Sequence, residues 1–180
     1  LEIAHRSSEF LDIITESKAL VRKLCNIGED HEVIWLQGGG RMQFCMVPMN
    51  FLYSNRKAGY IDSGHWANEA MTYARYYGTT LELASSKDTG YNCLPPWPDV
   101  PEDLAYLHIT TNNTIAGTQW HNVPATGVPL VADVSSDILS GPADYSRYAL
   151  FYAVAQKNLG AAGNTLVVVR KDMLANAAEG

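Results

Sequence analysis

The stretches P-L-V-A-D (residues 129–133), A-L-F-Y-A-V-A (149–155) and T-L-V-V-V-R (165–170) are near-continuous apolar runs of strand length. Runs without polar alternation must be covered on both faces, the condition of strands in a parallel sheet with a layer on either side. Earlier, strand-like E-V-I-W-L-Q (32–37) breaks into Gly38, Gly39 and Gly40, and a helical pattern begins at about Met42. A-G-Y-I-D-S (58–63), T-T-L-E-L-A (79–84) and A-Y-L-H-I-T (105–110) are further strand candidates. The spacing of Phe10, Ile13, Ile14, Val21 and Leu24 predicts an amphipathic helix over 9–26, capped by Ser8. Residues 65–77 read as a helix ended by Gly78, and the Gly, Pro and Asp content of 87–101 as a loop. The alternation predicts an α/β chain, a three-layer α/β/α arrangement with a mostly parallel sheet.

Composition narrows the function classes. With 47% hydrophobic and 18% charged residues, the 180-residue chain can bury a sizeable core, and without repeats or a linker it reads as one domain over 1–180. A net charge of -6 and the lack of any Lys/Arg block argue against nucleic acid or an anionic membrane as partner. Any anionic ligand must therefore be met by local groups. Cys25, Cys45 and Cys93 are widely spaced and form no C-x-x-C pair, which argues against a disulfide framework or a zinc ribbon and fits a reducing, cytoplasmic compartment. No stretch has membrane-spanning length and no signal segment opens the sequence. Opening on Leu1 and closing on A-A-E-G, the chain reads as a piece of something longer.

In open α/β sheets ligands sit at the carboxyl ends of strands, so the residues just past each strand are read together. Lys157 follows the 149–155 run; its ammonium either emerges into water or is held in a crevice for chemistry. Asp133 ends another run, and a carboxylate there either finds a cation and donors or caps the next segment. The glycines before Arg41 form either an empty tight turn or a phosphate cradle at a helix start, and neither G-x-G-x-x-G nor the Walker pattern is present. Trp66 is either core or a plate for a planar ligand, and Thr114 either shapes a turn or donates a hydroxyl. His5 and Arg6 are either solvated surface or an anion contact. A phosphate cradle, a strand-end Asp, an aromatic plate and a strand-end Lys are together what a pyridoxal phosphate site requires. Lys condenses with the aldehyde, Asp keeps the ring nitrogen protonated, and the plate fixes the ring plane.

The wording of six separated segments carries a resemblance: H-R-S, W-L-Q-G-G-G-R-M-Q-F, M-V-P-M-N, H-I-T-T-N-N-T-I-A-G-T-Q-W, L-V-A-D-V-S-S-D-I-L-S and A-Q-K-N-L-G. In order and spacing these resemble the phosphoserine aminotransferase family, across nearly the whole chain. The resemblance implies the large domain of a fold type I pyridoxal 5'-phosphate enzyme, with an amino-terminal segment and a smaller carboxyl-terminal domain outside this sequence. It implies that Lys157 binds the cofactor covalently, that Asp133 pairs with the ring nitrogen, and that Gly40, Arg41 and Gln156 hold the phosphate. Trp66 would stack on the ring, Thr114 would reach the cofactor's hydroxyl region, and Arg6 and His5 would contact the substrate's anionic groups. The implied reaction transfers the amino group of glutamate to 3-phosphohydroxypyruvate in serine biosynthesis, in a cytoplasmic homodimer whose sites are shared across the interface. The family usually has Gly at the position of Val154, Pro at that of Ala161 and Arg at that of Gly141, which bears on the shape around the Lys157 turn. A different enzyme of the same cofactor class, such as a cysteine desulfurase, and a non-catalytic cofactor-binding module are the alternatives.

Overall fold

A computed structural model describes residues 3–53 and 55–178. The terminal residues Leu1, Glu179 and Gly180, on which part of the expectation of a longer chain was read, lie outside that range. The apolar runs form one seven-stranded sheet in the order β1-β7-β6-β5-β4-β2-β3. Its strands are β1 (His31–Gln37), β2 (Lys57–Asp62), β3 (Thr79–Ser85), β4 (Leu104–Thr110), β5 (Leu130–Asp133), β6 (Leu150–Val154) and β7 (Asn164–Arg170). β3, β2, β4, β5 and β6 are mutually parallel. β7 runs against both β6 and β1, so it alone is reversed and the sheet is mostly parallel, as the sequence predicts. The near-continuous apolar character of β5, β6 and β7 has its cause here, because each lies inside the sheet and is covered above and below.

Helix α1 (Ser8–Cys25) packs Val21 and Cys25 onto one face of the sheet. Its N-cap is Ser7, whose hydroxyl accepts from the Phe10 N–H, one residue earlier than the predicted Ser8. Ser7 holds the extended backbone that a cap needs, whereas Ser8 is already helical. The opposite face is covered by α2 (Gly40–Phe51), through Phe44 and Val47, and by α3 (His65–Ala74), through Ala70 and Met71. α3 ends at Ala74, and the predicted last turn continues to Gly78 as bends closed by the Tyr77 and Gly78 N–H groups on the Ala74 carbonyl. A four-residue helix, α4 (Lys171–Leu174), follows β7. The layer on the α1 side is completed by loop aromatics rather than helices: Trp97 and Trp120 meet edge to face, and Tyr145 and Tyr148 pack on Phe151. Fully buried aliphatic and aromatic side chains such as Leu107, Ile109 and Phe151 each contribute about 1.5–3 kcal/mol relative to exposure.

Pairing in register brings strand ends together. Thr110 of β4 lies opposite Asp133 of β5, and Asp133 opposite Tyr152 of β6. The carboxyl ends of three parallel strands thus open onto the amino end of α2, which is the geometry that places a ligand site.

Candidate active site

Asp133 is the last residue of β5 and is only 7% exposed. Its Oδ1 accepts the Ser135 N–H at 2.9 Å. Burial pushes its carboxyl above the ordinary carboxylate range, against the opposing pull of the Ser135 hydrogen bonds and of the Lys157 charge. None of the ion pairs among the described residues includes it. A buried carboxylate in that condition is stabilised by any cation that enters beside it.

β6 ends at Val154 and turns through Gln156 and Lys157. Hydrogen bonds from the Gly160 N–H to the Ala155 carbonyl and from Asn158 Nδ2 to the Ile138 carbonyl, both 2.8 Å, hold that turn. The Lys157 side chain is exposed, and its Nζ donates to Thr114 Oγ1 at 2.7 Å. Thr114 stands on a loop organised by Asn113, whose Oδ1 accepts the N–H groups of Ile115 and Ala116 and whose Nδ2 donates to the Ser63 carbonyl.

The third element is the start of α2. Gly38 turns the chain out of β1 with a φ of 109°, a conformation that glycine adopts freely, and Thr165 Oγ1 donates to its carbonyl at 2.9 Å. Gly39 is the N-cap and offers no side chain to the first turn; the Met42 N–H donates to the Gly39 carbonyl at 3.0 Å, which leaves the N–H groups of Gly40 and Arg41 for an anion. A Cβ on Gly40 would lie 3.2 Å from Val154 Cγ1, closer than an ordinary contact, so the glycine lets the helix start sit tightly against the end of β6. The half-buried Trp66 lies beneath the Arg41 guanidinium, which is 5.3 Å from the ring centroid and 3.6 Å from Glu69.

These elements enclose a cavity of about 250 Å³, and Gly40, Arg41, Trp66, Thr114, Asp133, Gln156 and Lys157 all line it. Lys157 is therefore both exposed and tethered in a crevice. Trp66 packs partly on the core while turning toward the cavity. His5 and Arg6 are not on its wall; they lie in the exposed turn before α1, where Arg6 Nε donates to His5 Nε2 at 3.2 Å. The sequence reading missed Thr110, Asn112, Ser135 and Ser136, which also line the cavity. For Ser135 a signal existed, since a serine two residues past an Asp is the spacing at which an Asp side chain bonds the backbone.

The residues suit pyridoxal phosphate: a primary amine, a buried carboxylate lacking a cation, an uncapped helix start for a phosphate and an aromatic face line one cavity. A phosphoserine aminotransferase of Lysinibacillus sphaericus is 52% identical to this chain, over 98% of it and 50% of the relative. A solved phosphoserine aminotransferase from Bacillus circulans subsp. alkalophilus superposes with a TM-score of 0.93 at 41% identity, over 98% of this chain and 50% of that one. A PLP-bound phosphoserine aminotransferase from Trichomonas vaginalis gives a TM-score of 0.89 at 29% identity, covering 97% and 53% respectively. The chain spans about half the length of the curated relatives it matches. The model of the class-V aminotransferases matches residues 2–179, and the chain belongs to that family.

Proposed function

We propose that the chain is the cofactor-holding domain of a phosphoserine aminotransferase, an enzyme that moves the amino group of glutamate to 3-phosphohydroxypyruvate to give phosphoserine and 2-oxoglutarate. The observation that carries the reading is the meeting of Asp133 and Lys157, from adjacent strand ends, in one cavity with the start of α2. Relatives at 45–52% identity that are named phosphoserine aminotransferases favour this reading over a cysteine desulfurase.

In this reading Lys157 holds pyridoxal phosphate covalently, Gly40, Arg41 and Gln156 hold its phosphate, Trp66 its ring face, and Thr114 its hydroxyl region. When bound, the cofactor supplies an aldehyde that takes up amino groups and a ring that draws electrons from the adjoining carbon. Asp133 keeps a proton on the ring nitrogen, the charged partner that its buried carboxylate lacks. Once the amino group of glutamate has displaced it from the cofactor, the freed Lys157 Nζ would take the proton from Cα of glutamate, and Thr114 Oγ1 would orient that nitrogen. Arg6 and His5, outside the cavity of a single copy, meet the substrate's anionic groups only where another segment or subunit brings the two surfaces together.

The assembly in this reading is a homodimer. The support is α2, where Arg41 is the sole charged residue and Met42 and Met49, one face apart by two turns, are 51% and 54% exposed. The unpaired state of Cys25, Cys45 and Cys93 supports a cytoplasmic setting.

The test is chemical. The chain is mixed with pyridoxal phosphate, reduced with borohydride and mapped by peptide mass. A label on Lys157, together with a visible absorbance that glutamate removes and 3-phosphohydroxypyruvate restores, is expected. A label on another lysine, or none, overturns the reading, and an absorbance that glutamate leaves unchanged favours a non-catalytic binding module.

A further inference from the structure

Asn113 is 4% exposed and stands beside Thr114, off the cavity wall that Thr114 and Trp66 both line. Its carboxamide makes hydrogen bonds in two directions. Oδ1 accepts the N–H groups of Ile115 and Ala116 at 3.1 and 3.2 Å, and Nδ2 donates to the carbonyl of the buried Ser63 at 2.9 Å. Turned over, the group would set its oxygen against that carbonyl and its nitrogen against two donors, so only one orientation satisfies the site.

The two ends of the carboxamide do different things. Through Oδ1 it shapes the loop that follows β4, as an Asn side chain does when it bonds backbone just ahead of itself. Through Nδ2 it leaves that loop and reaches the segment that leads from β2 into α3, 50 residues earlier in the chain. There it lodges against Gly64: a Cβ on residue 64 would lie 2.4 Å from Asn113 Nδ2 and 2.6 Å from its Cγ, which no side chain tolerates without a shift. The Gly64 carbonyl accepts the Asn68 N–H at 3.0 Å and so opens α3, whose second residue is Trp66. A loop that needed only to close on itself would use Oδ1 alone. The bond to Ser63 and the bare backbone at Gly64 tie that loop to the helix that carries the indole.

We propose that Asn113 is a positioning residue for the cofactor: its carboxamide, lodged against Gly64, holds the Thr114 loop and the start of α3 at a fixed separation, so that Thr114 and Trp66 meet one ring together. The inference rests on the cofactor reading above. It gives Asn113 no contact with cofactor or substrate, only control of the distance between two groups that have one.

The experiment measures the dissociation constant for pyridoxal phosphate in the parent, Asn113→Asp and Gly64→Ala, each with and without Trp66→Ala. Asn113→Asp keeps the acceptor that shapes the loop and loses the donor to Ser63, and Gly64→Ala puts a methyl group where the carboxamide lies. Each is expected to raise the constant about tenfold, the size of leaving one buried carbonyl without its donor, while borohydride still labels Lys157. In the Trp66→Ala background the same changes should cost less than about twofold, because the tether then has no indole to place. Either variant binding as the parent does overturns the inference. So does an increase of equal size in both backgrounds, which is what a mere loosening of the fold would give. Should the variants fail to fold, the parent alone decides. By NMR, an Asn113 side-chain amide proton that exchanges slowly and shows a cross-peak to the Gly64 α-protons supports the tether, and one that exchanges like a free asparagine's overturns it. A parent that takes no pyridoxal phosphate on Lys157 counts against the cofactor reading, whereas that exchange still judges the hold of Asn113 on the start of α3.

Discussion

Lys157 Nζ and Thr114 Oγ1, 43 residues apart in sequence, are joined by a 2.7 Å hydrogen bond between the turn after β6 and the loop after β4. An exposed lysine samples many rotamers, and ordering it costs on the order of 1.5–2 kcal/mol. Thr114 offsets part of that cost before any ligand arrives. Thr114→Val, which keeps the shape and loses the acceptor, is expected to slow covalent capture of pyridoxal phosphate several-fold, with the label still on Lys157. Lys157→Ala abolishes the label. Capture rates followed by absorbance and peptide mass check both, and a Thr114→Val rate equal to the parent's removes the hydroxyl from the account.

Asp133 predicts a trade between stability and chemistry. Burial raises its carboxyl above the value it has in the unfolded chain. A raised carboxyl means that the folded state binds the proton more tightly, so this group's contribution is fully present below the unfolded value and is lost as pH rises through the folded one. At neutral pH, where the carboxyl of the unfolded chain is ionised, burying Asp133 therefore costs the chain without cofactor stability. Asp133→Asn removes that cost and is expected to raise the melting temperature of the cofactor-free chain at pH 7, with little change at pH 3. In the proposed reading the same variant also loses the anion that would face the ring nitrogen, and transamination is expected to slow by orders of magnitude. Paired melting curves at the two pH values and single-turnover rates with glutamate test both halves; a melting point that falls at pH 7 contradicts the first.

The sheet was legible because β5, β6 and β7 are unbroken apolar runs, and only a covered strand tolerates that pattern. The reversal of β7 was not, since a buried strand presents the same apolar run in either direction. Lys157, Asp133 and the glycines were legible as strand-end residues of pointed chemistry. Thr110 and Ser136 were not, because a hydroxyl carries no signal until the register sets Thr110 beside Asp133 and Ser136 Oγ bonds the Asn112 carbonyl. His5 and Arg6 show the converse. A motif marks them for anion contact, but their place before α1 puts them off the cavity wall, since a sequence signature says nothing of which surface must come near.

Gly40 and Val154 form a contact into which an extra carbon fits only if a neighbour gives way by a few tenths of an ångström. A Cβ on residue 40 meets Val154 Cγ1 at 3.2 Å, so Gly40→Ala pushes the start of α2 away from β6 or displaces the valine. Overpacking of this kind costs about 1–3 kcal/mol. Because the first turn of α2 is also the proposed phosphate seat, affinity for pyridoxal phosphate is expected to fall along with stability. Val154→Ala in the same chain reopens the space and should recover most of both. A double-mutant cycle on urea midpoints and dissociation constants measures the coupling, and strictly additive effects would deny the contact any role.

His108 of β4 is buried, stacked 5.1 Å from Tyr60, with Nε2 2.9 Å from the Tyr152 hydroxyl and Nδ1 without a partner. Burial pushes its imidazole down to about 3 from an ordinary 6.5. Between those values the unfolded chain binds a proton that the folded chain refuses. Its contribution to stability is thus complete above pH 6.5 and declines as pH falls toward 3, by up to about 1.4 kcal/mol per pH unit. From pH 7 to pH 5 the parent is expected to lose about 2 kcal/mol through this group. His108→Gln retains an amide for Tyr152 and removes the titration. Urea unfolding of both chains at the two pH values provides the comparison, and equal losses would place the proton elsewhere.

Met42 and Met49 stand on the outward face of α2, a helix on which only Arg41 is charged, and are 51% and 54% exposed. Amphipathic surface helices turn polar residues outward, and α2 has almost none to turn. That composition suits a helix covered on both sides, by the sheet within and by a second copy without. Burying a methionine is worth about 1.5–3 kcal/mol, so replacing both with lysine should weaken dimerisation by about a hundredfold or more. Neither side chain reaches the core, so the Met42→Lys/Met49→Lys monomer should keep the parent's far-ultraviolet circular dichroism. Sedimentation of parent and variant over a range of concentrations measures the shift. A parent that remains monomeric throughout, or a variant that dimerises as well as the parent, would remove α2 from the interface and leave its apolar outer face without an explanation.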